Sequence, residues 1–133
     1  MSALLRFRVW LGVAGLSGAT AVVMDALARH HFDPVADAHA RELIQIATKY
    51  QSLHAVALVA AALLAECAGT GWAGRAAAVS GWAFVAGLAL FCGTLYGLAF
   101  GCPWAQPALT PFGGAAFMTG WLALLGAAIA WKR

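Results

Sequence analysis

Charged side chains are scarce in this chain: Asp, Glu, Lys and Arg make up 10% of its 133 residues, against roughly 25% in soluble domains. A chain so poor in charge cannot cover itself with polar surface, which excludes a soluble globular fold. No run of Lys or Arg is present either. The formal charge of +3 comes from basic residues at the ends of apolar segments, a pattern that orients helices in a membrane and does not serve a polyanion. No nucleic-acid partner is expected. Cysteine is limited to Cys67, Cys92 and Cys102, with no CxxC, zinc-ligand spacing or haem-attachment motif. Cys67 falls toward the opposite membrane face from Cys102. Cys92 and Cys102 are separated along one helix and its exit by about 15 Å, too far for a disulfide. The reading is three unbridged packing thiols and no cofactor. No nucleophile and no paired acid and base can be quoted, so no enzymatic activity is assigned.

What the chain has in abundance is apolar sequence, 63% of its residues. Four runs are long enough to cross a bilayer, at about residues 9–28, 50–68, 76–100 and 110–131, with no length left over for a soluble domain. The predicted fold is all-α: an integral membrane four-helix bundle, one domain over residues 1–133, with a short interfacial helix between the first two spans. That helix is read from Asp33 as N-cap, Pro34 as its first residue and an apolar stripe of Val35, Ala38, Leu43, Ile46 and Ala47. The second and third spans meet at the turn Gly69-Thr70-Gly71, and the third and fourth at an uncharged loop from Cys102 to Pro107.

Gly12, Gly15 and Gly18 in the first span, Gly93 and Gly97 in the third, and Gly113 and Gly114 in the fourth are expected at close helix contacts, because small residues let backbones approach. A basic start, an apolar stretch and Ala26-Leu27-Ala28 imitate a signal-peptide cleavage site. The length of the run and Asp25 beside the cut argue for retention. Arg6, Arg8, Arg75, Lys132 and Arg133 lie on one side of the membrane and Arg29, Arg41 and Lys49 on the other. This balance places both termini in the cytoplasm; Trp104 and Trp131 suit opposite interfaces.

The sharpest chemical signal is a polar cluster at the membrane entry of the second span: Lys49, Tyr50, Gln51 and His54. Helical spacing puts Tyr50, Gln51 and His54 on one face. Facing lipid, each would forfeit hydrogen bonds at about 2 kcal/mol or more, so all three are expected to point inward. Asp25, near the end of the first span, is the expected partner, with Lys49 at the same level to neutralise it; Ser17, Thr94 and Tyr96 are further hydroxyls able to join. The simpler role for such a group is to fix helix register. The functional one is a proton, quinone or small-ligand site in which His54 titrates. His30, His31 and His39 with Asp33 and Asp37 offer metal-ligand chemistry. Adjacent histidines seldom share an ion, and no metal is assigned. Paired haem ligation fails because only His54 lies within a span.

Four segments carry a resemblance to a known family: Gly15-Leu16-Ser17-Gly18-Ala19, the stretch from Ala47 to Ala55, Phe91-Cys92-Gly93-Thr94-Leu95-Tyr96, and Thr110-Pro111-Phe112-Gly113-Gly114. Together they resemble the domain of unknown function 423 family, the YgdD-like bacterial inner-membrane proteins, similar to eukaryotic transmembrane protein 256. The resemblance implies a four-span protein of the bacterial inner membrane without an assigned activity. One departure is Asp25-Ala26-Leu27-Ala28-Arg29-His30, where the family tends toward small residues before its histidine. Three functions compete, of which a membrane enzyme or quinone-interacting redox protein has no motif to quote. A structural or accessory subunit would pack its glycine-rich faces in a larger membrane complex or a homo-oligomer. A self-contained small transporter would use Asp25, Tyr50 and His54 as a relay.

Overall fold

A computed structural model describes residues 2–131, so Lys132 and Arg133, which enter the basic-residue balance, lie outside the described residues. Four helices are long and apolar enough to cross a membrane: Ala3–His30, Ala38–Cys67, Trp72–Ala99 and Pro107–Ala130, and no strand occurs among the described residues. They run alternately up and down. Arg6 of the first helix approaches Glu66 of the second at 3.8 Å at one end of the bundle, and Phe32 meets Phe100 edge-on at 5.9 Å at the other.

The helix ends follow from local chemistry. Ser2 caps the first helix by accepting from the Leu5 amide at 3.2 Å. Gly69 and Gly101 take φ of +65° and +67° just beyond the second and third helices, a conformation only glycine adopts without strain. At Gly101 the third helix closes in a Schellman motif, Cys102 N–H to Gly97 carbonyl at 2.8 Å and Gly101 N–H to Leu98 carbonyl at 3.1 Å. The stretch read as an interfacial helix is a single turn, Asp33 to Asp37, that leads straight into the second helix at Ala38. The second helix therefore runs unbroken from the loop through the membrane.

The second and third helices form the central pair. The first packs mainly on the second and the fourth mainly on the third, so the outer two bury much less of their length than the inner two. Ala14, Ala21 and Ala28 form a buried seven-residue repeat on the first helix, and Ala47, Ala55, Ala57, Ala61, Ala62 and Ala65 are buried on the second. In lipid, where apolar contact gives no advantage over acyl chains, such small residues gain by letting backbones pack closely.

The third helix is not uniform. It is α-helical over Trp72–Gly87, widens to a π turn at Leu88–Cys92, and resumes as an α-helix over Gly93–Ala99. The wider turn rotates everything after it relative to what comes before. Phe84 and Gly87 are thereby aimed at the fourth helix, and Tyr96 at the first and second.

Candidate functional site

The second helix carries two of the buried polar side chains, Gln51 and His54, and sends them in different directions. Gln51 is buried and turns toward the first and third helices. Its Nε2 donates to the Ser17 carbonyl at 2.8 Å and to Thr20 Oγ1 at 2.6 Å, and its Oε1 accepts from the Tyr96 hydroxyl at 2.5 Å. Thr20 can accept because its own proton goes back to the Leu16 carbonyl at 2.8 Å. Both amide protons are committed, and one side chain ties three helices together.

His54, three residues further on, faces the fourth helix. Trp121 Nε1 lies 3.1 Å from His54 Nε2, and His54 Nδ1 lies 2.7 Å from the Tyr50 carbonyl. An indole N–H can only donate and a carbonyl can only accept. Nε2 is therefore the bare nitrogen and Nδ1 carries the proton, which makes the ring neutral with both nitrogens satisfied. The ring stacks on Phe117 at a centroid distance of 3.6 Å and 11°, with Phe84 at 5.5 Å. Tyr50, 40% exposed, leans on Phe91 at 4.8 Å and makes no side-chain hydrogen bond among the described residues.

Asp25 does not join this group. Its carboxylate pairs with Arg29 one turn along the same helix, at 2.9 Å to Nε and 3.4 Å to Nη2. An acid four residues before a base is the favoured order on a helix, and this local pairing outcompetes a partner on the second helix. Lys49 is exposed and lines an open groove with Asp25. The five polar residues singled out in the sequence thus divide into a Gln51 network, a His54 and Tyr50 stack, and an outer pair of Asp25 and Lys49.

Thr20, Arg29 and Trp121 complete these groups; Thr20 and Trp121 escaped the sequence reading, and Arg29 was read as a basic flank of the first span and not as the partner of Asp25. Trp121 did leave a signal, since it sits midway along the fourth apolar run, where tryptophan is less usual than at the interfaces. Of the other hydroxyls, Tyr96 joins the network through its side chain and Ser17 through its carbonyl, whereas buried Thr94 makes no hydrogen bond to Gln51.

The glycines also divide. A Cβ on Gly97 would strike the Trp104 ring and Ala105, and one on Gly113 the backbone of Phe91 at the π turn. On Gly12, Gly15, Gly18, Gly93 or Gly114 it would meet nothing within 4 Å, so the close packing expected of these five is not made within the chain. Other glycines hold the bundle's aromatic contacts instead: Gly81 lies beneath Trp10, Gly87 against Phe117, and Gly120 against Phe84. Each notch takes a ring from a neighbouring helix.

In the first loop Asp33 Oδ1 accepts from the amides of Val35 and Ala36, both at 2.8 Å, and Asp37 Oδ2 accepts from the Asp33 amide at 2.9 Å. The Ala36 and then the Val35 N–H hold the Asp33 carboxyl below its ordinary value. These carboxylates are occupied by the turn. Among the described residues no three His, Cys, Asp or Glu side chains gather as a metal site. Cys67, Cys92 and Cys102 are free thiols, with Cys92 in the core.

Four helices long and apolar enough to cross a membrane, with Gln51 and His54 hydrogen-bonded to neighbouring helices inside the bundle, define a small multi-pass membrane protein. The chain belongs to the family described as protein of unknown function (DUF423), whose model matches residues 24–114. It is 33% identical over 115 residues to a UPF0382 membrane protein of Haemophilus influenzae, covering 86% of this chain and 89% of that one. It is 28% identical to the UPF0382 membrane protein YwdK of Bacillus subtilis, covering 92% and 97%. A UPF0382 membrane protein of Staphylococcus epidermidis is likewise 28% identical, covering 89% and 93%. No solved structure matches the chain.

Proposed function

We propose that the chain is a structural or accessory subunit of a larger membrane assembly, seated through the outward face of its first helix. One observation carries this reading: Gly12 and Gly15 open onto free space on that face, with exposed Ala19 continuing it. A helix with little side chain offers its backbone to a neighbouring helix, and close van der Waals packing is what drives helix association in lipid. The interior argues the same way. With both nitrogens of His54 committed and Asp25 paired with Arg29, two of the three side chains suited to a relay are held in fixed hydrogen bonds, which favours the structural role over transport.

The protein resides, on this reading, in the bacterial cytoplasmic membrane with both termini in the cytoplasm. The grouping of Arg6 and Arg8 with Glu66 and Arg75 at one end of the bundle supports that orientation. Cysteine-accessibility labelling at Ser2 and Val35 reads it directly, with Val35 expected to label from outside intact cells.

The assembly is tested by extracting the protein from its own membranes in mild detergent and determining native mass and chain composition. Co-purification with other chains at fixed stoichiometry is expected, and Gly15→Ile should release the subunit while leaving its helical content and melting temperature unchanged. A single chain, or a complex of this chain with itself alone, refutes the accessory role.

A further inference from the structure

Between the last three turns of the first helix and the second helix lies an open groove of about 710 Å³. Its lining is of two kinds. Asp25, Arg29, Lys49 and Ser52 supply charge and hydrogen bonds at one level, and Val22 and Ala26 supply an apolar wall beside them. Val22 is 71% exposed, so this wall faces the membrane and not a packed interior.

The depth of the groove follows from the second helix. Lys49 and Glu66 mark the two ends of its uncharged stretch, about 26 Å apart at 1.5 Å per residue, close to the roughly 30 Å of a hydrocarbon core. The groove therefore opens at the boundary between acyl chains and headgroups. At that boundary the fixed charges are one carboxylate against two cations, a surplus of one positive charge. The Asp25 and Arg29 pair leaves the arginine side chain 63% exposed, with its Nη1 uncommitted. Lys49 has no ion pair or hydrogen bond among the described residues, and the Ser52 hydroxyl likewise donates to none of them.

The geometry points to a binding site for the phosphodiester of an anionic phospholipid, with its acyl chains laid along Val22 and Ala26. A phosphodiester carries one negative charge, which matches the surplus, and its oxygens can take hydrogen bonds from Lys49, Arg29 and Ser52 together. The apolar wall distinguishes a lipid from a free phosphate, which would gain nothing from it. Lipid bound here would bridge the first and second helices through Lys49 and Arg29, contacts that the accessory role does not use, so the site stands independently of that role.

The test is native mass spectrometry of the purified full chain with phosphatidylglycerol and phosphatidylcholine of matched acyl chains, titrated separately. Saturable binding of one phosphatidylglycerol, at least about fivefold tighter than phosphatidylcholine, is expected. Lys49→Gln should weaken it about fivefold, the worth of one basic residue near an anionic headgroup, and Lys49→Arg should restore it. Lys49 is exposed, so an unchanged melting temperature is the check on folding. Equal affinity for the two lipids, or no loss with Lys49→Gln, overturns the site. Displacement of the lipid by millimolar inorganic phosphate overturns the lipid as its occupant. With the wild-type protein alone, affinity for phosphatidylglycerol should fall as salt rises, and salt-independent binding counts against the proposal as firmly as the variant would.

Discussion

Replacing Gln51 with Leu keeps the bulk of the side chain and removes three interhelical hydrogen bonds at once, two to the first helix and one from Tyr96. Hydrogen bonds between membrane helices average about 0.6 kcal/mol and reach about 1.7, so the three together are worth about 2 kcal/mol. The Tyr96 hydroxyl is then left without its acceptor, which adds about 1 kcal/mol. Gln51→Leu should therefore cost about 3 kcal/mol. Tyr96→Phe removes one of the same bonds, about 0.6 kcal/mol, and strands only Gln51 Oε1, about 1 kcal/mol, for about 1.6 kcal/mol.

Because both variants break the same bond, the double variant must cost less than the two singles added, by about 0.6–1.7 kcal/mol. The measurement is reversible unfolding in mixed micelles, titrated with a denaturing detergent and followed by fluorescence of the six tryptophans. Additivity within about 0.5 kcal/mol would show that the two residues are not bonded. The third helix would then be held to the second without the rotation that the π turn supplies.

Other expectations follow from the same contacts. Trp121→Phe keeps an aromatic ring and removes the donor to His54, and should cost about 0.6–1.7 kcal/mol in the same unfolding assay. In the wild type, ¹⁵N spectra should show protonated Nδ1 and bare Nε2 on His54, and the opposite tautomer would contradict the Trp121 bond. Gly81→Ala sets a methyl against the Trp10 ring at 2.7 Å and should destabilise by about 1–3 kcal/mol. Gly15→Ala, with open space around it, should change stability by no more than about 1 kcal/mol, and in the favourable direction, by raising helix propensity. Since the Asp33 carboxyl is held below its ordinary 3.8, its hold on the turn is complete above that value and is lost as pH falls through the lowered one. Amide protection at Val35 and Ala36 should drop over that acid range, and Asp33→Ala should show the unprotected level at every pH.

The presence of four helices long and apolar enough to cross a membrane was legible in the sequence because a bilayer sets the length of an apolar run, and Gln51 and His54 announced an inward orientation because facing lipid would have cost each its hydrogen bonds. Helix rotation was much less legible. The first helix is apolar nearly all round, so no polar face marks its outer side. Ala14, Ala21 and Ala28 took the buried side, while the glycines that looked like packing residues faced out. The partner of Asp25 was missed for a related reason: an exposed ion pair within one helix competes with any pairing across helices, and spacing alone does not rank the two. Tyr96 depended on the π turn at Leu88–Cys92, which no pattern of residues signals. Legibility thus followed the cost of misplacement in lipid, high for Gln51 and His54 and low for residues that lipid and protein accommodate equally well. Those permissive positions, Gly12, Gly15 and Ala19 on the outward face, are the ones at which contact with another helix would supply a constraint that the isolated chain does not.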